Sequence, residues 1–157
     1  MGTKEKRKSV ISAVTVRRGI WKSNPAYRAV FSAMYFPSFD IRVMNTYDEL
    51  VAAGGATFWQ MKATSNGSFF LFPKTDKKHV EVVSRNGTRA RLSVEASGIV
   101  ATWLALRTLG SHEAVVKARD RLLEYARQQP EFFCMSGFMT AGQYTAVSRV
   151  DGGIDGS

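Results

Sequence analysis

Two histidines, His79 and His112, a single cysteine, Cys134, and thirteen carboxylates are the raw material for any reactive centre in this chain. A zinc site draws on Cys and His at short fixed spacings, and neither histidine has such a neighbour. HExxH and CxxC motifs are absent. Ser136 stands in Cys-Met-Ser-Gly-Phe, which lacks the first glycine of a GxSxG nucleophile elbow. No Walker lysine loop and no GxGxxG is present, and Gly54-Gly55 and Gly152-Gly153 read as a helix stop and a tail. The expectation is a non-enzymatic protein with no catalytic residue, metal or cofactor. Cys134 is expected to be a small buried hydrophobe. With no second cysteine there is no internal disulfide, which fits a reducing cytoplasm.

Charge is the other chemistry on offer. Residues 1–28 hold eight basic side chains against Glu5 alone, while the other 129 residues hold 14 bases and 12 acids. The net charge of +9 therefore belongs mainly to the N-terminal segment. Lys4, Lys6, Arg7, Lys8, Arg17 and Arg18 are the candidate nucleic-acid contacts, since clustered cations neutralise phosphates. Their simpler role is a solvated, solubilising tail. Trp59, Phe69, Phe70 and Phe72 could stack on unpaired bases, but side chains of this kind are also what a sheet buries, and core packing is the expected role.

The elements that must position these residues follow from local pattern. Val10 to Val16 is apolar and β-branched and suits a short strand, preceding the Asn24-Pro25 turn. Tyr27, Phe31, Met34 and Tyr35 share one helical face in a run that Pro37 ends. Tyr47 to Ala53 reads as a short helix, capped by Thr46 and closed by Gly54-Gly55. From Thr57 to Ala63 the residues alternate, with Trp59 and Met61 on one face and Gln60 and Lys62 on the other. Strands over Phe69–Phe72, Val80–Val83 and Arg89–Val94 follow. Asn66-Gly67 and Asn86-Gly87 mark hairpins whose two central positions both suit positive φ. A helix over Glu95–Leu109 carries Ile99, Val100, Trp103, Leu104 and Leu106, with Ser93 as its cap and Gly110 as its stop. Another, Glu113–Gln129, is capped by Ser111, ended by Pro130, and turns Val115, Ala118, Leu122, Tyr125 and Ala126 inward. The sum is an α+β fold: a four-stranded antiparallel meander packed with flanking helices in a single domain. The expected divisions are a flexible basic arm over 1–22, the domain over 23–136 and a disordered tail over 137–157. The N-terminus lacks an apolar signal core, and no apolar run reaches the ~18–20 residues that span a bilayer, so no membrane contact is expected.

Several segments, in order, resemble the ArdB/KlcA antirestriction family. They are Met34-Tyr-Phe-Pro-Ser-Phe; Tyr47-Asp-Glu-Leu-Val, then Gly55 and Thr57-Phe-Trp-Gln-Met; Thr64-Ser-Asn-Gly-Ser-Phe-Phe-Leu-Phe-Pro; Leu92-Ser-Val-Glu-Ala-Ser-Gly-Ile-Val; and Arg121-Leu-Leu-Glu-Tyr-Ala-Arg-Gln-Gln-Pro-Glu. The resemblance spans roughly residues 31–133 and leaves out the basic arm and the tail. Gln60 stands where the family tends to carry an acid, and Ser68 stands for its second glycine.

The resemblance implies a protein of plasmids or other mobile elements that reduces host type I restriction without enzymatic activity. The partner implied is a protein of the host restriction or DNA-processing machinery, with DNA as a second contact through the basic arm. A DNA mimic needs carboxylates at phosphate spacing, and thirteen scattered acids among twenty-two bases do not supply that. The Ser65, Asn66, Gly67 and Ser68 turn lies in the family-like segment, must face solvent as a hairpin end, and is the candidate partner contact. A different reading keeps the fold but makes the chain a DNA-binding accessory or regulatory protein that uses its arm.

Overall fold

A computed structural model describes residues 10–33, 38–51 and 58–139. The order is β1 (Ala13–Val16), a 3-10 helix (Arg18–Ser23), α1 (Pro25–Ser32), α2 (Phe39–Leu50), β2 (Trp59–Thr64), β3 (Phe69–Pro73), β4 (His79–Val83), β5 (Arg89–Ser93), α3 (Val94–Arg107), α4 (Glu113–Arg127) and α5 (Phe132–Met139). The class is α+β, as the pattern of residues implies.

Helix α3 is the centre of the molecule. Ten of its residues, Ala96 to Trp103 together with Ala105 and Leu106, are buried. A helix apolar on all sides has no solvent face and is covered on all sides. Ser93 caps it as expected, its hydroxyl accepting the Ala96 amide at 3.2 Å.

The four expected strands are present, but they do not form one sheet. β1, β2 and β3 make an antiparallel sheet in that order, and β4 and β5 make a separate hairpin. The reason lies at the outer edge of β3. The Thr102 hydroxyl accepts from the Leu71 amide at 3.0 Å and donates to the Leu71 carbonyl at 3.3 Å. One turn earlier, a Cβ on Gly98 would stand 2.4 Å from the Leu71 carbonyl oxygen and 2.4 Å from Phe72 Cβ. Helix α3 thus occupies the place where a fourth strand would pair. All five residues of β3 are buried, so Phe69 to Phe72 are core on both faces.

Other departures are equally local. β1 pairs with β2 from Ala13↔Thr64 to Val16↔Met61, so the expected flexible arm is folded well before residue 22. Trp21 is buried behind it and donates from Nε1 to the Val16 carbonyl at 3.2 Å. Helix α2 starts at Phe39, eight residues before Tyr47, because Phe39, Val43, Tyr47 and Leu50 form one buried stripe. Thr46 is therefore no cap; its hydroxyl donates to the Arg42 carbonyl from within the helix. That helix ends at Leu50, and the expected Gly54-Gly55 stop lies outside the described residues. α1 ends at Ser32, and Met34–Pro37 also lie outside the described residues. In both hairpin turns only the glycine has positive φ, 92° at Gly67 and 91° at Gly87, and no described non-glycine residue does. Gly67 donates to Thr64 and Gly87 to Ser84, at 3.1 and 3.0 Å, so each turn is of type I with a glycine bulge, not the doubly positive form expected. Residues 137–139, expected to belong to the tail, are part of α5, where Phe138 and Met139 are buried, and residues from 140 onward are outside the described set.

The Gly98 contact yields a stability test. Gly98→Ala is expected to lower unfolding free energy by about 3 kcal/mol or more, because backbone of β3 rather than a mobile side chain would have to move. Gly19→Ala, which meets nothing within 4 Å, is expected to stay within about 0.5 kcal/mol of the parent in the same urea titration.

Candidate interaction surface

The Ser65–Ser68 turn is held from three directions. Thr64 Oγ1 donates to Asn66 Oδ1 at 2.6 Å and accepts the Ser68 amide at 2.9 Å. Asn66 Nδ2 donates to the Arg121 carbonyl at 2.9 Å and to Glu124 Oε1 at 3.2 Å. Ser68 Oγ donates to the Ala118 carbonyl at 2.7 Å. On the other side Ser65 donates its amide to the Ser12 carbonyl at 2.8 Å, and its Oγ accepts the Ser12 amide at 3.0 Å. The turn is thus a clasp between β1 and α4. Ser65 and Gly67 are exposed, Asn66 is half-buried and Ser68 is buried. Solvent exposure, expected for the whole turn, holds for only part of it, because α4 covers the rest.

Beside the turn lies a groove of about 640 Å³ between the N-terminal ends of α1 and α4, lined by Asn24, Ala29, Ser65, His112, Lys117 and Arg121 among others. Both helix ends are already satisfied. Asn24 Oδ1 accepts the Tyr27 amide at 2.9 Å, and His112 Nδ1 accepts the Ala114 amide at 3.1 Å. His112, not Ser111, caps α4. An accepting Nδ1 leaves the ring proton on Nε2. His79, exposed at the start of β4, is far from this role. Among the described residues no group of three His, Cys, Asp or Glu side chains could hold a metal ion. Cys134 is exposed on α5 rather than buried, since that helix buries Met135, Phe138 and Met139 instead.

Two of the six basic candidates, Arg17 and Arg18, lie among the described residues. Lys4, Lys6, Arg7 and Lys8 lie outside the described residues. β1 runs antiparallel to β2, so it carries Arg17 and Arg18 to the end of the sheet away from the turn, four residues or ~13 Å beyond Ala13. There the Arg18 guanidinium sits 5.3 Å from the Trp21 ring and Lys22 Nζ 4.2 Å from the Phe31 ring. The aromatic faces fix these cations in position. Arg17, Arg18, Lys22 and Arg28 are all exposed, and none has an ion pair among the described residues. Lys22 and Arg28 were not singled out by sequence; they lie on the 3-10 helix and on α1, the two elements that follow β1. Below them, burial pushes the Tyr27 phenol up to about 12, with Asp40 adding to the rise and Arg18 opposing it.

The profile of a family described as "Antirestriction protein" matches residues 53–138. Two curated proteins of Escherichia coli, each described as "Antirestriction protein KlcA", are similar. The first is 37% identical over 75 residues, covering 48% of this chain and 51% of its own length. The second is 37% identical over 67 residues, covering 43% of this chain and 47% of its own. The chain thus spans about half the length of the curated relatives it matches. A solved structure superimposes with a TM-score of 0.67 at 22% identity, over 85% of this chain and 97% of the other. It comes from work describing the KlcA and ArdB proteins as having a novel fold and antirestriction activity against type I DNA restriction systems in vivo but not in vitro. At that identity the likeness speaks for the fold.

Two outcomes test this surface. Ser68→Ala is expected to cost about 1–2 kcal/mol in urea unfolding, since it removes a buried bond between turn and helix, and Ser65→Ala less than about 0.5 kcal/mol. Stability is also expected to fall as pH rises from 10 towards 12. In that window the unfolded phenol of Tyr27 has lost a proton that the folded one keeps, and the contribution is fully present below pH 10. Thermal melts across that range should show a shallower decline for Tyr27→Phe; an unchanged slope would remove Tyr27 as the cause.

Proposed function

This chain belongs to the antirestriction protein family, and from that premise we propose that it reduces host type I restriction of incoming DNA by non-catalytic contact with a protein of the restriction machinery. The observation that carries the reading is the family match over 53–138, which takes in β2 through most of α5, the clasp at Ser65–Ser68 and the Gly98 packing. The site of action is the cytoplasm, where such enzymes meet entering DNA.

The charge pattern supports contact with protein over imitation of DNA. Glu49, Glu81, Glu95, Glu113 and Asp120 each have an Arg or Lys within 4 Å, from 2.7 Å at Lys62–Glu95 to 3.9 Å at Lys117–Glu113. A phosphate mimic keeps its carboxylates free of cations so that their field reaches outward. Exposed Ser65 and Gly67, with the groove beside them, are the surface proposed to meet the partner.

One observation favours a second reading as a DNA-binding accessory protein: Arg17, Arg18, Lys22 and Arg28 are exposed and without ion pairs among the described residues. The two separate experimentally. Expression of the chain is expected to raise plating of unmodified phage on a type I restricting host by about tenfold or more, and to do so with Arg17 and Arg18 changed to Ala. No rise across several such hosts would reject the first reading. A mobility shift of duplex DNA whose log affinity falls by ~0.9 per contacted phosphate per log unit of salt, and which vanishes in the arginine variant, would favour the second.

A further inference from the structure

A second groove, of about 750 Å³, lies where α2, the C-terminal end of α3 and the β4–β5 turn meet, and it shares no lining residue with the first. Arg42, Arg85 and Arg107 line it, with Glu49 as the carboxylate among its lining residues. Arg85 Nη2 stands 3.4 Å from Glu49, a long contact between two exposed side chains. Arg42 and Arg107 have no ion pair among the described residues. Both have a buried Nε without a hydrogen-bond partner, two of only three such side-chain atoms among the described residues; the third, Trp103 Nε1, is not part of the groove lining.

A buried N–H without an acceptor costs free energy, and buried polar groups are nearly always satisfied. Arg42 and Arg107 thus line one groove with neither an ion pair nor a partner for Nε–H among the described residues, a pair of under-satisfied guanidiniums that an anion seated in the groove would complement. Position adds to this for Arg42. It sits in the first turns of α2, where the helix dipole disfavours a cation. The dipole does favour Arg107 at the end of α3, but it does not satisfy that residue's Nε–H.

We propose that this groove binds a phosphate group, with Arg42 and Arg107 as its anchors and Arg85 as a third cation released from its long contact with Glu49. The stoichiometry of donors favours phosphate over carboxylate. A carboxylate presents its two oxygens and all their lone pairs in one plane, so several guanidinium forks can share it only edge-on within that plane. A phosphate presents at least two non-bridging oxygens out of plane with its ester oxygens, so arginines from different helices can each hold their own. The phosphate comes from a nucleotide or from a nucleic-acid backbone; the groove chemistry is the same for both.

The test uses the full chain. Side-chain Nε–H resonances of Arg42 and Arg107 are followed by nuclear magnetic resonance during titration with inorganic phosphate, a nucleoside diphosphate, a single-stranded oligonucleotide, a duplex, and a glutamate-rich peptide. Expected is saturable movement of both resonances with the phosphate-bearing ligands. Affinity should fall about tenfold or more in Arg42→Gln and in Arg107→Gln, with melting temperature in the absence of ligand unchanged or higher. Arg42→Lys and Arg107→Lys, which keep the charge but lose the Nε–H, should weaken binding as well. Tighter binding of the diphosphate than of either oligonucleotide identifies a nucleotide as the source, and the reverse a backbone. Immobile resonances at millimolar phosphate, binding retained in the glutamine variants, or saturable binding of the acidic peptide alone would each overturn the proposal. None of these readouts depends on antirestriction activity.

Discussion

Helix α3 can lie along the outer edge of β3 only because residue 98 has no side chain. With the Leu71 carbonyl oxygen and Phe72 Cβ both 2.4 Å from where a Cβ would be, nothing larger than glycine fits. Thr102, on the same face one turn later, completes the contact by exchanging hydrogen bonds with Leu71 that a neighbouring strand would otherwise make. An open strand edge in a core would leave amides and carbonyls unsatisfied, so this hydroxyl is what allows a helix to stand in for a strand. The separation of β4 and β5 into their own hairpin, the complete burial of β3 and the central position of α3 all follow.

Once α3 is in place, the other elements have little freedom. Its remaining faces are taken by α2, through Tyr47 and Ser97 at 3.0 Å, and by α4 and α5. α4 in turn receives the β2–β3 turn through Ala118, Arg121 and Glu124. A hairpin end that would project into solvent in a free-standing sheet becomes part of the packing. Its outward face is reduced to Ser65 and Gly67 together with the neighbouring groove.

The same packing redistributes the charges. In the sequence the cations crowd at the N-terminus; of these, Arg17 and Arg18 stand at the opposite end of the sheet from the turn because β1 pairs antiparallel with β2. Meanwhile Arg42, Arg85 and Arg107, spread over 65 positions of an otherwise near-neutral body, meet in one groove.

What was legible in the sequence is whatever depends on neighbours a few residues apart. Alternation at Trp59 to Lys62, the inward stripe of Val115, Ala118, Leu122, Tyr125 and Ala126, the Ser93 cap and the glycines of both turns are set by strand and helix periods and by backbone sterics. The ordered segments that resemble the antirestriction family were equally readable. Interactions between distant residues decided the rest. Whether β3 meets a strand or a helix depends on Gly98 and Thr102, about thirty residues away. Phe39 heads a helix that begins well before Tyr47 because its stripe has a core to enter. Cys134 faces solvent because Met135 and Phe138 take the buried side of its helix. The arginine groove has no signal in the sequence at all, since a contact that forms only when α2, α3 and the β4–β5 turn close together leaves no local pattern to read.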